Sequence, residues 1–566
     1  MRRTSLLAFL ASAAPRVLVS WSYLVMRPRF AHASPLQMSS NGGPSSSLAY
    51  NFSTSTVGSD AAVSKEPMDN GVYDFAVIGG GCGGLAAAKE AASLGAKTIL
   101  FDYVRPSPRG TTWGLGGTCV NVGCIPKKLM HYAGILGHSS HDREALGWGN
   151  HEGPHDWGRL VNTVQNYIKM LNFSYRSGLM SKNVEYVNAM ASLADKNTVT
   201  YTDKKGEKHQ IKAKNVLIAI GARPTIPSDV KGAWDYSITS DDLMSRKEPV
   251  GKTLIVGGSF VALECAGFLT SMGYDVTVAV RSLILRGFDR QCADKVQELM
   301  LATGTKFKNG VVPQAITKLE NGRLYIEFTD GSSDEFDTLM YATGRSVSSR
   351  MQKELSDVGI KFSEYGKIIA EDGKTSVEGV YAVGDVVEGN PALAPVAVKD
   401  GELLARRIFG NSDKKLDLNY IPMCVFTPYE YARCGISEET ASKLYGEDFD
   451  VYLKEYTTLE FAAVHREKVE SLRADEFDVD MPPTCLSKMI CKKDGTVVGL
   501  HFVGPNAGEI MQGLCMAVRK GITKEEIDDT IGIHPTDAES FVNLTVTKKS
   551  GESWVASQGC GGGRCG

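Results

Sequence analysis

Cys119 and Cys124 stand with four residues between them in Gly116-Gly117-Thr118-Cys119-Val120-Asn121-Val122-Gly123-Cys124-Ile125-Pro126-Lys127. That spacing lets the two side chains meet as a disulfide if the backbone turns where a helix begins. Thr118 is expected to cap the helix, and a helix N-terminus lowers a cysteine pKa and favours the thiolate. Pro126 is tolerable only near the helix start. Taken alone, the pair reads equally as a redox dithiol, a structural disulfide or two buried thiols. A second pair, Cys560 and Cys565, closes the chain in Gly559-Cys560-Gly561-Gly562-Gly563-Arg564-Cys565-Gly566. A glycine-rich terminus has little reason to pack, so two cysteines there are hard to explain structurally. The glycines supply a flexible turn for a disulfide ring, and Arg564 could stabilise a thiolate at Cys565. A metal-binding or adventitious cysteine tail is the competing reading. Disulfide exchange also needs a proton for the leaving thiolate. His534, in His534-Pro535-Thr536-Asp537-Ala538-Glu539, is a side chain able to cycle that proton near neutral pH, with Glu539 to orient it. The alternative for His534 is an ordinary core histidine.

The elements that must position these groups are α/β. Tyr73–Ile78 reads as a buried strand, Gly79-Gly80-Gly81-Cys82-Gly83-Gly84 as a turn, Leu85–Leu94 as an Ala-rich helix, and Lys97–Phe101 as a second strand ending at Asp102. Gly79 suits the tight turn, Gly81 the approach of a pyrophosphate, and Gly84 close packing of helix on strand. The helix N-terminus would face the phosphates and Asp102 a ribose. The unit therefore predicts dinucleotide binding.

Thr253–Val256 opens a second unit of the same design, with Gly257-Gly258-Ser259-Phe260-Val261-Ala262-Leu263-Glu264, a helix to Met272 and a strand Asp275–Val280. Ser259 and Ala262 replace the second and third glycines and are still small. Where the first unit has Asp102, this one has Arg281, Ser282 and Arg286. Arginines there suit a 2′-phosphate, so NADPH is expected, against two surface arginines. Leu339–Arg345 closes this unit. Val380–Asp385 is a further strand ending at an acid, followed by a helix Ala394–Phe409. A long helix is expected from Asp156 to Gly178. Residues 423–500 read as an α+β unit.

The chain has 566 residues, enough for three or four domains, and a net charge of −3 that gives no electrostatic reason to bind nucleic acid or anionic membrane. Twelve cysteines in a chain this long are not a small secreted disulfide framework. Residues 1–59 lack Asp and Glu but carry Arg2, Arg3, Arg16, Arg27 and Arg29 among Ser, Ala and Leu, the composition of an organellar transit peptide. Leu6–Ala14 could instead be a secretory core, and Val17–Met26 is too short to span a bilayer comfortably. Met38 or Met68 could start a cytosolic form, so mitochondrial or cytoplasmic residence, or both, is expected. No cysteine joins His131, His138, His141, His151 and His155, and they are expected to be solvated surface histidines, not a metal site. Cys82, Cys265 and Cys515 are expected to be packing residues.

Together these motifs resemble the FAD-dependent pyridine nucleotide disulfide oxidoreductases, and within them the large type of thioredoxin reductase, over residues 70–566. The pieces that carry the likeness are Gly116–Lys127, the two nucleotide units in order, Ala342–Arg345, Ala382–Asp385 and His534–Glu539. The Cys560–Cys565 tail resembles that of Plasmodium-like members, not the Cys-selenocysteine tail of animal ones. The resemblance implies two Rossmann-like dinucleotide-binding domains, for FAD and NADPH, plus a C-terminal α+β dimerisation domain. It divides the chain into a leader (1–68), the first part of the FAD domain (69–225), the NADPH domain (226–350), completion of the FAD domain (351–420), the dimerisation domain (421–550) and a mobile redox tail (551–566). It further implies that Gly79, Gly81, Gly84, Asp102, Gly117, Thr118 and Asp385 hold FAD. Arg281 and Arg286 would hold the NADPH phosphate, with Gly257, Phe260 and Gly344 near the nicotinamide half. Lys127 would pair with Glu264 beside the flavin, Cys124 would lie against the flavin, and Cys119 would be the exchanging thiol. His534 and Glu539 would serve the partner subunit's disulfide in a homodimer, and Cys560 and Cys565 would carry electrons outward.

Thioredoxin, glutathione and lipoamide chemistry share this core. Lipoamide enzymes would lack the phosphate arginines. Two family positions that bind glutathione carboxylates hold Lys89 and Glu402 here, and Glu402 would repel a carboxylate. A protein substrate cannot reach a buried disulfide, so a tail carrier favours thioredoxin. The alternatives are glutathione-disulfide reduction and a non-catalytic flavoprotein scaffold; the scaffold would be expected to have lost part of the redox set.

Overall fold

The computed structural model describes residues 72–149, 153–203, 205–464 and 482–556. The leader, Cys560 and Cys565 lie outside the described residues.

Strand β1 (Tyr73–Ile78) is flanked by parallel partners, β2 (Thr98–Phe101) on one side and the C-terminal half of Lys208–Ile218 on the other. Val380–Ala382 adds a parallel strand beyond that half, although it arrives late in sequence. This is how the chain leaves the first nucleotide unit, builds the second, and returns to finish the first. Both faces of β1 are covered, which is why Phe75–Val77 read as a continuous apolar run and are fully buried.

Helix α1 (Cys82–Ser93) begins three residues earlier than the apolar pattern suggests. Gly84 explains it: a Cβ there would lie 1.9 Å from the Gly79 carbonyl oxygen. Only a bare Cα lets the first helical turn sit on the strand end, and the two glycines hide that turn from a reading based on apolar periodicity. Along its length α1 packs against Ala394–Phe409, with Gly401 admitting the Gly83 carbonyl.

The Cys119 segment forms two helices where one was expected. Helix α2 (Gly117–Val122) ends at Gly123 and α3 (Cys124–Ala145) starts at the next residue. A side chain on Gly123 would come within 3.0 Å of the Thr118 carbonyl, so glycine allows the sharp break. Helix α4 (Trp157–Met180) follows the expected span, its Asp156 cap accepting from the Arg159 amide at 2.9 Å.

The second unit is a five-stranded parallel sheet with Thr253–Val256 at its centre, between Val276–Val280 and Thr338–Tyr341. Its helix Phe260–Ser271 is buried almost all round and packs on α3. Ser259 caps it, the hydroxyl donating to the Ala342 carbonyl at 3.0 Å and accepting from the Ala262 amide. The last unit is an antiparallel five-stranded sheet with Phe449–Tyr456 at one edge. Residues 546–556 run along that edge: the Leu453 amide donates to Val546, Glu455 to Trp554, and Ala556 to Glu455. Trp554 anchors the run, its indole donating to the Glu455 carboxylate at 3.1 Å. The chain is thus held against the sheet to Ala556, four residues before Cys560.

Candidate active site

One cleft gathers residues from segments far apart in sequence. It is lined by Gly79–Gly83, Asp102–Val104, Gly117–Cys119, Val122–Cys124, Lys127, Phe260, Glu264, Arg345, Val383–Asp385 and Ala394. Its floor is made by two backbone turns in contact. A Cβ on Gly117, whose φ is +70°, would sit 2.6 Å from the Gly81 Cα. No side chain fits between these turns, so an extended ligand can lie along them and meet amides at the N-termini of both α1 and α2.

Asp102 ends β2 beside this floor and accepts from the Gly80 amide at 2.9 Å. Burial pushes its carboxyl up to about 6, against the hydrogen bonds from Gly80 and Tyr103. A carboxylate so desolvated gains from hydroxyl donors, and a ribose diol supplies two. At the other side Asp385 is also pushed up by burial, with the Arg345 guanidinium opposing. Thr118 is the second residue of α2, and the helix is capped by Gly116. The expected cap is therefore corrected: the Thr118 hydroxyl accepts from Arg345 at 3.2 Å. Arg345 also donates to the Ala222 carbonyl and faces Asp241. It ties the Cys119 helix to the end of the nucleotide unit, a role its place in Ala342–Arg345 did not disclose.

Cys119 and Cys124 are free thiols side by side, one in each helix. The hydrogen bond from Cys119, helped by the Lys127 ammonium and opposed by burial, brings the Cys124 thiol down to about 7. Cys119, donating to its neighbours and desolvated, is pushed far up. The pair thus holds one proton on Cys119 and leaves Cys124 the readily ionised sulfur. Lys127, one turn along α3, meets Glu264 at 2.8 Å, and the pair is nearly buried. The same Glu264 oxygen accepts from the Phe426 amide at 3.0 Å. Burial would deprotonate Lys127, but Glu264 outweighs it and the amine is held above its usual range. Phe260 opens the helix that carries Glu264, beside this pair.

Arg281 and Arg286, expected to meet a 2′-phosphate, follow the second strand of the second unit and are both exposed, with Arg286 donating to the Ser282 hydroxyl at 2.8 Å. Among the described residues neither is in an ion pair. Gly257 and Gly344 take positive φ at the adjacent strand ends.

His534 and Glu539 form a second, separate constellation. Nδ1 of His534 lies 2.9 Å from the Glu539 carboxylate, which fixes the ring. Neither residue lines the dithiol cleft of its own chain. Ile531 and Ile533, just before the histidine, are 95% and 77% exposed. On the outer side of α3, beyond the dithiol, Tyr132 and Leu136 are exposed as well.

Two expectations are overturned. His131 is buried, its Nε2 3.1 Å from the Glu430 carboxylate, which Lys128 also reaches at 3.1 Å. Glu430 stays below the usual carboxylate range because these partners outweigh its burial. The spacing Cys124, Lys127, Lys128, His131 marks one face of α3 and was the available signal. Cys82 is no packing residue: it lies in the cleft that Cys119 and Cys124 also line. Cys265 and Cys515 are buried, Cys515 with its sulfur 2.9 Å from that of Cys434. His155 is exposed, and the His141 side chain and His151 fall outside what is described. Among the described residues the cluster with metal-ligand spacing is Asp203, Glu207 and His209, in an exposed turn.

Residues 73–401 match the pyridine nucleotide-disulphide oxidoreductase pattern, and residues 421–545 match the dimerisation domain of the same family. The chain belongs to the pyridine nucleotide-disulphide oxidoreductases. A thioredoxin reductase of Plasmodium falciparum (isolate FCH-5) is 53% identical over 502 residues, covering 87% of this chain and 92% of the relative. The thioredoxin reductase SEP1 of Emiliania huxleyi is 46% identical over 505 residues, covering 87% of this chain and 99% of the relative.

FAD and NADPH are the cofactors of this oxidoreductase. The glycine floor, the half-buried Asp102 and the desolvated Asp385 fit a dinucleotide in the cleft. FAD held there by the Gly79–Gly84 turn, Asp102 and Asp385 would supply two-electron chemistry between NADPH and a disulfide. The chain holds Lys127 charged in this cleft through Glu264 and keeps Cys124 ionisable.

Proposed function

We propose that the chain is a thioredoxin-disulfide reductase working as a homodimer, with NADPH reducing the Cys119–Cys124 disulfide through FAD. Reduced Cys119 then passes the electron pair to the Cys560–Cys565 disulfide of the partner subunit, and that tail reduces thioredoxin. The observation that carries this reading is the division of the chemistry: the dithiol lies in one cleft, and its proton carrier, His534 with Glu539, lies elsewhere on an exposed apolar surface. A second copy would complete the site by bringing His534 to Cys119, covering Ile531, Ile533 and the outer face of α3 as it does so. The dimerisation-domain match supports that arrangement.

Each transfer moves two electrons. The Cys119 thiolate attacks the tail disulfide, Cys124 displaces the reduced tail, and His534 accepts and returns the proton at Nε2 while Glu539 holds Nδ1. Thioredoxin is favoured over glutathione by the names of the similar enzymes and by the second dithiol. No described helix is long and apolar enough to cross a membrane. The basic leader supports a mitochondrial form, and Met38 or Met68 a cytoplasmic one. The test is side-by-side turnover of oxidised thioredoxin, oxidised glutathione and lipoamide with NADPH. Preferred turnover of thioredoxin is expected; preferred turnover of glutathione would overturn the reading.

A further inference from the structure

Cys82 brings a third sulfur to the dithiol. It opens α1 within the glycine turn, and the packing of Gly81 against Gly117 carries it to the Cys119 helix. Cys82, Cys119 and Cys124 line the same cleft, and each perturbs the ionisation of its neighbours. We propose that Cys82 is a second exchange partner of Cys119, so that the oxidised enzyme interconverts between a Cys119–Cys124 and a Cys82–Cys119 disulfide. The inference rests on Cys119 and Cys124 forming the working disulfide.

The step needs no oxidant. The Cys82 thiolate attacks Cys119 Sγ, the Cys82–Cys119 bond forms as the Cys119–Cys124 bond breaks, and the electron pair leaves on Cys124 as a thiolate. Disulfide number, charge and oxidation level are unchanged. The attacker sits at a helix N-terminus, where amides favour a thiolate, while burial and the charges of Cys124 and Asp385 oppose it. The leaving thiolate is received beside the Lys127 ammonium. The isomer would park the exchanging sulfur in a bond from which Cys124 recovers it by the reverse attack. It would thus hold oxidised enzyme with Cys124 as a free sulfur beside the Lys127 ammonium.

Peptide mapping reads the two bonds apart, because trypsin places Cys82 in residues 66–89 and both other cysteines in residues 110–127. Oxidised holoenzyme without NADPH is treated with iodoacetamide, acid-quenched and digested. The proposal predicts a crosslinked species two hydrogens lighter than the sum of these peptides, with Cys124 alkylated. In Cys82→Ser the crosslink and the Cys124 label are both lost, and the 119–124 bond remains. In Cys124→Ser, oxidised dithiothreitol should drive the same crosslink. Wild type showing only the 119–124 bond, with Cys82 fully alkylated and no crosslink in Cys124→Ser, would overturn the proposal alone. Absence of any bond at Cys119 would overturn the working disulfide as well.

Discussion

Removing the Cys119 sulfhydryl should raise the pKa of Cys124, and the structure says by how much. Cys124 sits near 7 chiefly through the hydrogen bond from Cys119, with the Lys127 charge adding to it and burial working against both. A hydrogen bond to an ionised group contributes about 1.5–3 kcal/mol. At 1.36 kcal/mol per unit this is about 1–2 units of pKa. Cys119→Ala should therefore move Cys124 from about 7 to about 8–9. Cys119→Ser keeps an O–H donor and should leave it near the starting value. The assay is the rate of iodoacetamide labelling of the peptide 110–127 against pH, since only the thiolate reacts and Cys124 is the one cysteine left there. At pH 7 the alanine variant should label more slowly by about fivefold or more, the gap closing above pH 9. Identical profiles for Ala and Ser would refute the hydrogen bond as the cause, and a profile unmoved in both would locate the depression in Lys127 alone.

Glu264→Gln leaves Lys127 buried without its anion, and breaking a buried pair in this way costs about 3–5 kcal/mol, to be read as a fall in Tm. Arg281→Ala with Arg286→Ala should raise KM for NADPH far more than for NADH, at about 1.5–3 kcal/mol per lost phosphate contact. A similar rise for both nucleotides would reject the phosphate site. Asp102, with its pKa raised to about 6, favours folding of the cofactor-free protein at acidic pH and loses that contribution as pH rises from the unfolded value to about 6. The hydroxyls of bound FAD strengthen with ionisation, so flavin release, followed by fluorescence, should increase as pH falls below about 6. Asp102→Asn should flatten that dependence.

The nucleotide units were legible because each couples a local pattern to a local consequence. A buried strand, a glycine turn and a helix must follow one another in space as they do in sequence, and Asp102 must then fall at the turn. The strand Val380–Ala382 joining the first sheet was not written in its own residues, since its partner lies about 160 positions away. The dithiol could be identified but its backbone could not: Gly123 splits the expected helix in two, and Gly116 takes the capping place assigned to Thr118. His131 and Cys82 were misread for one reason. Both looked ordinary along the chain, and both acquire their surroundings from segments that tertiary packing brings in, Glu430 from the last sheet and Cys119 from the neighbouring turn.

The central claim is that each active site draws the dithiol from one subunit and His534 from the other. Mixed dimers purified from differently tagged Cys119→Ser and His534→Ala chains test it directly. Each parent homodimer should be nearly inactive toward thioredoxin, and the mixed dimer should recover about half the wild-type turnover, because one of its two sites is intact. A mixed dimer as inactive as its parents would contradict the account.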